Sequence, residues 1–235
     1  MNKNIRIAVQ SKGRLSEDSL KFLASLGLIF AQKERSFVAT CSNAPVDLVF
    51  LRDDDIPQYV EKGVTDFGIV GENVLLEKST NSRIVKKLGF SSCSLVLAVP
   101  IKSKIRSVLD LEGERIATTY PNLLKAFLLE QNIEAAIIKL KGSVEIAPAL
   151  NLADAICDLT QSGRTLRENN LKIIATIMES QAVFIRSPFL SAVAEKNVDS
   201  LFLQSTFSGK YLILAHHQGG IFYSKFVKGA VRLKM

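Results

Sequence analysis

The sequence predicts an α/β protein in which two lobes enclose a cleft. Short apolar runs of strand length recur along the chain, and most of them are followed by a helical pattern. Two such series are separated by the polar run at residues 102–107. The 235 residues are 47% hydrophobic, which is enough for one large domain or for two small lobes.

Composition narrows the class of ligand. Lysine and arginine outnumber the acids by 30 to 23, and the net charge of +7 favours a polyanionic ligand. Nucleic acid is discounted as a partner because the basic residues are scattered and the aromatic content is only 7%. No apolar run approaches the roughly 20 residues that span a bilayer, so no membrane partner is expected. The apolar segment after Met1 is too short for a signal peptide.

The cysteines and histidines exclude some chemistries. Cys41, Cys93 and Cys157 are far apart and lack CxxC spacing, which indicates reduced thiols in a cytoplasmic protein. His216 and His217 stand together near the C-terminus. The main body therefore has to work without imidazole, which argues against histidine-based triads and zinc hydrolysis.

The first lobe begins with a strand at residues 5–9 and a helix capped by Ser16. We expect Leu20, Leu23 and Ala24 to form the buried face of that helix, which Gly27 ends. The loop between strand and helix places Lys12 and Arg14 at the carboxyl end of a strand, where open α/β sheets bind ligands. Both residues also fit solvated loop charges.

Two more strands complete this series, at residues 46–51 and 66–71. Arg52 follows the first of them, and the aspartates at 53–55 suit the start of a helix that has Pro57 in its first turn. Glu72 and its neighbour are predicted in a turn above the second strand. Three strand-to-helix loops thus converge on one side.

The first lobe is expected to include one more strand, at residues 95–99, which ends at Pro100. The second lobe is predicted from strands at residues 115–119 and 135–140 and a helix at 123–130. A further helix begins at 142–145, and strands at 171–177 and 182–186 lead back to the first lobe. The predicted boundaries are 1–99 plus 188–235 for lobe I and 100–187 for lobe II, with crossings near Pro100 and Pro188. Beyond Pro188 we expect a poor helix over 190–207, a strand over 210–215 and a loose tail over 218–235.

Residues 153–166 combine a buried-strand pattern with a polar loop. Hydroxyls at Thr160, Ser162 and Thr165 surround the permissive backbone of Gly163. A helix beginning near Thr165 would direct its free N–H groups at an anion, so the loop is interpreted as a phosphate cradle. An ordinary strand-to-helix connection is the alternative. Asp154 and Asp158 favour the cradle, since they could hold sugar hydroxyls or a magnesium-bound phosphate beside it.

Five motifs occur in the order found in ATP phosphoribosyltransferases, and the sequence resembles that family over residues 5–187. The motifs are AVQSKGRL at 8–15, RDDDIP at 52–57, GIVGENV at 68–74, ATTYP at 117–121 and GSVE at 142–145. The stretch 153–166 resembles the family's loop for phosphoribosyl pyrophosphate (PRPP). The resemblance implies a two-lobed, type II periplasmic-binding-protein-like fold with the active site in the inter-lobe cleft. It also implies the first step of histidine biosynthesis.

The implied reaction is glycosyl transfer: a ring nitrogen of ATP displaces pyrophosphate from the anomeric carbon of PRPP with inversion. Positioning and charge neutralisation would carry the rate, so no histidine base is needed. Magnesium would bridge substrate phosphate oxygens. The resemblance implies a role for each group of residues. The 5-phosphate would be held by Thr160, Gln161, Ser162, Gly163, Arg164 and Thr165, and the ribose hydroxyls by Glu145 with Asp154 or Asp158. The pyrophosphate and triphosphate would be neutralised by Lys12, Arg14 and Arg52, and the adenine side would be lined by Tyr120 and Glu72. Each of these residues also fits a loop or capping role.

Some features depart from the family pattern. Ser162 stands where the family often has Thr, and Arg164 replaces a commonly small residue. The motifs are most similar to the long form, whose histidine-sensing regulatory domain is expected to be missing after Met235. The short form depends on a synthetase-like regulatory subunit, which is therefore a possible partner besides ATP and PRPP. A homo-oligomer, a dimer or larger, is expected. A non-catalytic small-ligand-binding module and a catalytic subunit that is inactive without its partner are the alternative functions.

Overall fold

The computed structural model describes residues 4–30 and 36–190, together with two short strands at 211–212 and 224–225. In chain order the strands are β1 (Ile5–Gln10), β2 (Val38–Thr40), β3 (Val46–Leu51), β4 (Phe67–Gly71), β5 (Arg83–Lys87), β6 (Cys93–Pro100), β7 (Arg115–Thr118), β8 (Ala136–Lys139), β9 (Ala155–Thr160), β10 (Leu171–Ser180), β11 (Ala182–Arg186), β12 (Tyr211–Leu212) and β13 (Ser224–Lys225). The α-helices are α1 (Arg14–Ser25), α2 (Ile56–Glu61), α3 (Glu72–Lys78), α4 (Pro121–Glu130) and α5 (Arg164–Glu168). Single 3₁₀ turns lie at Asp53–Asp55, Leu109–Leu111 and Val144–Ile146.

The strands form two mixed sheets, one in each lobe. The lobe I sheet has the order β2-β3-β1-β4-β11-β5, and the lobe II sheet has the order β10-β6-β9-β7-β8. In lobe I the strand β1 pairs in parallel with β3 and β4. In lobe II the strand β7 pairs in parallel with β8 and β9. The fold class that the sequence predicts, an α/β protein with two lobes, is confirmed.

Both sheets are covered on their two faces. In lobe I one face packs around Leu23, Leu48 and Phe67, and the other around Ile56 and Val70. Lobe II has an equivalent pair of apolar clusters on the two faces of its sheet. This double coverage explains why the parallel strands are continuous apolar runs rather than alternating patterns.

The chain crosses between the sheets earlier than the predicted crossings near Pro100 and Pro188. Strand β6 belongs to lobe II and β11 to lobe I, so the crossings fall between β5 and β6 and between β10 and β11. The crossing segments pair with each other, since the Leu88 amide donates to the carbonyl of Ala182 and the Ala182 amide to that of Phe90, at 2.9 and 3.0 Å. The predicted crossings lie at prolines because the apolar strand patterns end there. The sheet to which a strand belongs is decided by its pairing with other strands, which the pattern does not show.

Several local predictions about helices are wrong. Helix α1 begins at Arg14 with Gly13 as its N-cap, and Ser16 is buried inside the helix instead of capping it. Ala24 is exposed, while Leu23 is buried as predicted. Glu72 starts helix α3 instead of lying in a turn. Strands β2 and β5 were not predicted, because β5 is exposed along its whole length and β2 has only three residues.

The predictions for the C-terminal part fall mostly outside the described residues. The expected helix over 190–207 and the tail over 218–235 are among them, apart from Leu190 and strand β13. In the expected strand over 210–215, the described residues Tyr211 and Leu212 do form a strand, which pairs with β13 in antiparallel orientation.

Gly68 on strand β4 lies where helix α2 packs on the sheet. A Cβ at this position would stand 2.7 Å from a methyl carbon of Ile56 and 2.9 Å from one of Val60. We therefore expect Gly68→Ala to lower the free energy of unfolding by about 1–3 kcal/mol through overpacking. Chemical denaturation measures this change in the free energy of unfolding. Gly142→Ala is the control, since its Cβ would enter open space; equal losses in both variants would contradict the packing argument.

Candidate active site

The cleft-facing loops leave the carboxyl ends of the parallel strands. In lobe I, the segments that follow β1, β3 and β4 lead into α1, the 3₁₀ turn at Asp53–Asp55 and α3. In lobe II, the segments that follow β7, β8 and β9 lead into α4, the 3₁₀ turn at Val144–Ile146 and α5. Ligands of open α/β sheets bind at such ends, so the two sheets present their ligand-binding edges to a common cleft.

The loop between β9 and α5 has the geometry that the sequence predicts. Helix α5 begins at Arg164, one residue before the expected start. Gly163 is its N-cap and has φ 69°, a left-handed conformation that glycine adopts without steric cost. The Gly163 amide donates to Thr160 Oγ1 at 3.0 Å, which folds the loop back on the strand. The side chains of Ser162 and Thr165 remain exposed, and so does that of Arg164, which forms an ion pair with Glu168 at 2.7 Å.

Arg14 connects the two lobes across the cleft. It is the first residue of α1, and its guanidinium donates a hydrogen bond to Gln161 Oε1 in the β9–α5 loop. Gln161 Nε2 in turn donates to the carbonyl of Ser92 at 3.1 Å. The loop that carries Lys12 thus lies against the hydroxyl-rich loop of lobe II. Lys12 and Arg52 are both exposed, and Arg52 precedes the 3₁₀ turn after β3.

Asp154 does not lie beside this loop, contrary to the sequence-based expectation. It precedes the first residue of β9, whereas the loop follows the last, and a six-residue strand separates them by about 20 Å. Its carboxylate forms a two-pronged ion pair with Arg115, with contacts of 2.8 and 2.9 Å. The hydrogen bond from Arg115 is the main cause that lowers the pKa of Asp154 to about 2. Asp154 is therefore bound at the opposite edge of the sheet.

Asp158 lies within β9, and its charge interacts with Glu145 and Tyr120. Burial, followed by the negative charge of Glu145, raises the pKa of Asp158 to about 6. Burial also raises the pKa of the Tyr120 phenol, and the charges of Asp158 and Asp53 raise it further. These interactions show that side chains from four separate segments lie within electrostatic reach of one another: the 3₁₀ turns that contain Asp53 and Glu145, the N-cap of α4 at Tyr120, and strand β9 at Asp158.

The raised pKa of Asp158 predicts a pH-dependent stability. Because it lies above the ordinary value of 3.8, the folded state binds the extra proton between pH 3.8 and about 6, and this residue's contribution falls as pH rises through that window. We therefore expect Asp158→Asn to raise the melting temperature of the ligand-free protein near pH 8 and to change it little near pH 4. Thermal unfolding over this pH range measures the difference.

Asp110→Asn is the control with the opposite sign. Backbone amides of Arg106 and Ser107 lower the pKa of Asp110, so its stabilising effect is present above the ordinary pKa and is lost as the pH falls. This variant should melt at a lower temperature near pH 8. A pH-independent melting difference between Asp158→Asn and the parent would contradict the assignment of Asp158.

Glu72 and Asp53 differ from their sequence-based interpretations in their contacts. The Glu72 carboxylate forms an ion pair with Lys87 of β5 at 2.8 Å, so it is engaged with lobe I. Asp53, interpreted from sequence as one of three helix-start aspartates, has a raised pKa because it is partly buried and lies near Asp54. Its charge acts on Tyr120, a relation between residues 67 positions apart that no local pattern reveals.

Two buried residues of α3 were not identified from the sequence as part of the site. Asn73 donates to the Tyr120 hydroxyl at 3.2 Å, and Glu77 accepts hydrogen bonds from the first turn of α4. Asn73 belongs to the GIVGENV motif and Glu77 lies three residues beyond its end, so the two are four residues apart on one helix face. This spacing is the only signal in the sequence that could have linked them.

The carboxylates suit a metal ion that arrives with a substrate. Within residues 4–30 and 36–190, no group of three or more His, Cys, Asp or Glu side chains is arranged to hold a metal. Magnesium is commonly held by one or two carboxylates together with substrate phosphates. Asp158 and Glu145 provide such oxygen donors, so the residues present fit a magnesium ion that is bound mainly by phosphate oxygens.

Two α/β lobes with paired crossings and a ligand-binding edge on each sheet define the class: a two-lobed protein of the type II periplasmic-binding-protein-like fold. The family model HisG, described as ATP phosphoribosyltransferase, matches residues 52–204. The chain belongs to this family of phosphoribosyltransferases.

Relatives and solved structures agree with this membership. The chain is 46% identical over 192 residues to an ATP phosphoribosyltransferase of Maricaulis maris, covering 79% of the chain and 65% of the relative. It is 45% identical over 201 residues to one of Cytophaga hutchinsonii, covering 86% and 70%. The matched region thus spans about two thirds of the length of these relatives.

Among solved structures, a chain of the ATP phosphoribosyl transferase (HisG:HisZ) complex from Thermotoga maritima superposes with a TM-score of 0.72 at 34% identity, covering 86% of this chain and 96% of that one. The alkanesulfonate-binding protein SsuA from Xanthomonas axonopodis pv. citri has a TM-score of 0.55 at 18% identity, covering 86% and 73%. The second likeness shows the fold alone. No helix in the described part of the chain has the length and hydropathy needed to cross a membrane.

Proposed function

We propose that this chain catalyses the transfer of the phosphoribosyl group of PRPP to a ring nitrogen of ATP, the first step of histidine biosynthesis. The observation that carries the proposal is the contact between Arg14 and Gln161, which joins the cationic loop of lobe I to the hydroxyl-rich loop of lobe II. In a member of the ATP phosphoribosyltransferase family, we assign the space between these two loops to the two phosphorylated substrates. A non-catalytic binding module is not favoured, because the relatives are transferases.

The β9–α5 loop is the proposed site for the 5-phosphate of PRPP. The first N–H groups of a helix have no partner within the helix, and here they lie beside the exposed hydroxyls of Ser162 and Thr165. Together they supply neutral donors for a phosphate. Gln161 and Arg164 lie at the two ends of the same loop, and Thr160 fixes its fold.

The chemical step forms a C–N bond from the ATP ring nitrogen to the anomeric carbon and breaks the C–O bond to pyrophosphate. The lone pair of the nitrogen attacks directly, and the leaving pyrophosphate takes the electrons of the broken bond. Lys12, Arg14 and Arg52 are proposed to neutralise the phosphate charges of both substrates, which lowers the barrier by fixed electrostatic stabilisation. No side chain needs to remove a proton before the attack.

The ribose hydroxyls are assigned to Glu145 and Asp158. Asp154, the other carboxylate considered, is bound to Arg115 at the far end of β9. Tyr120 lies within the electrostatic reach of Asp158 and is proposed to line the adenine side of the cleft. Glu72 is proposed at the same side, from a position where its carboxylate also holds Lys87.

A divalent cation, proposed to be magnesium, would be held by substrate phosphates with help from Asp158 and Glu145, and would supply further charge neutralisation. A cytoplasmic location is proposed from the three free cysteines in the described residues and from the substrates. A regulatory subunit and a homo-oligomeric assembly are proposed as partners. The Thermotoga maritima structure, a HisG:HisZ complex, supports the former.

The test is the absorbance change of phosphoribosyl-ATP formation. The purified chain is mixed with ATP, PRPP and magnesium, and pyrophosphatase removes the second product. We expect product formation that depends on both substrates. If no product forms, PRPP should still raise the melting temperature, and activity should appear on addition of the regulatory subunit of a related short-form enzyme. Absence of both product and a melting shift would contradict the proposal.

A further inference from the structure

A second set of contacts joins the lobes, at the ends of α3 and α4. Glu77, on α3 of lobe I, has only 7% of its surface exposed. Its carboxylate accepts hydrogen bonds from the backbone amides of Asn122 and Leu123, at 3.0 to 3.1 Å, in the first turn of α4 in lobe II. The N-cap residue Tyr120 gives this helix no side-chain hydrogen bond. Lobe I therefore supplies the cap of a lobe II helix.

The contact is reciprocal. The Asn122 side-chain amide donates to the backbone carbonyl of Glu77 at 2.9 Å. This carbonyl belongs to the last turn of α3, where carbonyl groups lack partners within the helix. Each helix end thus satisfies the unpaired backbone groups of the other. The negative carboxylate also suits the positive end of the α4 dipole.

Asn73, one turn earlier on α3, extends the contact to the crossing and to Tyr120. Its backbone amide donates to Ser180 Oγ at 3.1 Å, and Ser180 Oγ donates to Asn73 Oδ1 at 2.8 Å. Ser180 is the last residue of β10, directly before the chain returns to lobe I. Asn73 Nδ2 then donates to the Tyr120 hydroxyl at 3.2 Å. One face of α3 therefore holds the crossing and the proposed adenine-side residue together.

We propose that Asn73 and Glu77 form an inter-lobe clasp that sets the opening of the cleft and the position of Tyr120. The inference rests on the proposed function, because the clasp acts on that function's substrates. Glu77 and Asn73 are positioning residues: they contact the Tyr120–Leu123 turn, and Tyr120 is the residue proposed for the adenine side of the cleft. Without the clasp, the lobes would sample more open arrangements that bind both substrates poorly.

The expected kinetic signature separates this role from a merely structural one. If the clasp keeps the cleft in its binding-competent arrangement, its loss reduces the competent fraction, and the apparent affinity falls in proportion. A saturating substrate restores that arrangement, so kcat should change little. A residue that only stabilises the fold would instead reduce the amount of active enzyme and leave KM unchanged.

The test compares Glu77→Ala and Glu77→Gln with the parent, in the complete chain and with any required regulatory subunit. For Glu77→Ala we expect the KM values of ATP and PRPP to rise about tenfold, corresponding to a competent fraction near one tenth, with kcat within about twofold. Glu77→Gln keeps one oxygen acceptor and should recover part of the loss. Glu61→Ala is the matched control, since Glu61 accepts the Asn81 amide at 3.0 Å within lobe I.

Hydrogen exchange provides a second measurement that does not need activity. The amides of Asn122 and Leu123 should exchange faster in Glu77→Ala than in the parent, with no change in the Glu61→Ala control. Asn122→Ala is tested as well, in case Glu77→Ala does not fold. It is the milder change because it removes only the hydrogen bond from the Asn122 side chain to the Glu77 carbonyl. It should raise KM in the same direction.

The outcomes distinguish the clasp from the proposed function. Faster exchange with unchanged KM values would overturn the clasp as a positioning device, and so would a fall in kcat alone. A parent that forms no product, with and without a regulatory subunit, would count against the transferase. In that case the dissociation constants of ATP and PRPP replace KM, and a rise of both in Glu77→Ala would still support the clasp.

Discussion

Arg14→Ala is expected to lower kcat/KM for phosphoribosyl transfer by about 100-fold to 1,000-fold, the usual effect of removing one preorganised hydrogen-bond donor from an active site. The Arg14 guanidinium lies at the start of α1 and donates to Gln161 of the other lobe. Its loss removes a positive charge together with a hydrogen bond between the two lobes. The stability of the protein should change little, because the side chain is 63% exposed.

The measurement is steady-state kinetics together with thermal unfolding of the same samples. Lys21→Ala is the matched control, as it removes a more exposed cation of the same helix that also pairs with Asp18. Arg14→Lys keeps the charge but loses the planar pair of donors, and it should recover only part of the activity. A large drop in melting temperature for Arg14→Ala, with normal kcat/KM for the folded fraction, would show that Arg14 is structural.

Gly163→Val is expected to weaken PRPP binding by at least about tenfold, which is a free-energy loss of about 1.4 kcal/mol. Gly163 has φ 69°, and a β-branched residue in this left-handed region is strained. A Cβ would also lie 3.0 Å from Arg167 Nη1, which donates to the Ser162 carbonyl at 3.0 Å. The substitution should therefore displace the loop backbone whose amides are proposed to hold the 5-phosphate.

Calorimetric titration with PRPP measures this effect. Gly113→Val is the matched control: Gly113 also has a left-handed backbone, with φ 75°, but its Cβ would enter open space at the opposite end of the lobe II sheet. Both variants should lose stability, and only Gly163→Val should lose PRPP affinity. Unchanged PRPP binding in Gly163→Val would refute the assignment of the loop.

The sequence by itself determined the features that depend on neighbouring residues. Apolar runs at β1, β3, β4 and β9 identified buried strands, because a strand covered on both faces leaves no polar alternation. The loops at their carboxyl ends followed directly, since a parallel sheet places such ends at one edge. The polar loop after β9 could be interpreted because its hydroxyls, glycine and helix start are adjacent in the chain.

Tertiary structure decided which of these features meet. Asp154 and Asp158 are four residues apart in sequence, yet one forms an ion pair with Arg115 and the other interacts with Glu145 and Tyr120. A strand of six residues separates its two ends by about 20 Å, so closeness in sequence does not imply closeness in the site. The membership of β6 in the lobe II sheet and of β11 in the lobe I sheet also depends on long-range pairing, which local apolar patterns do not encode.

The inter-lobe clasp is the clearest case of a feature that only the tertiary structure shows. Glu77 and Asn122 belong to different lobes and lie 45 positions apart. Nothing in the sequence around either residue links it to the other. Their hydrogen bonds arise because packing brings two helix ends together, and unpaired backbone groups at such ends require partners when water is excluded.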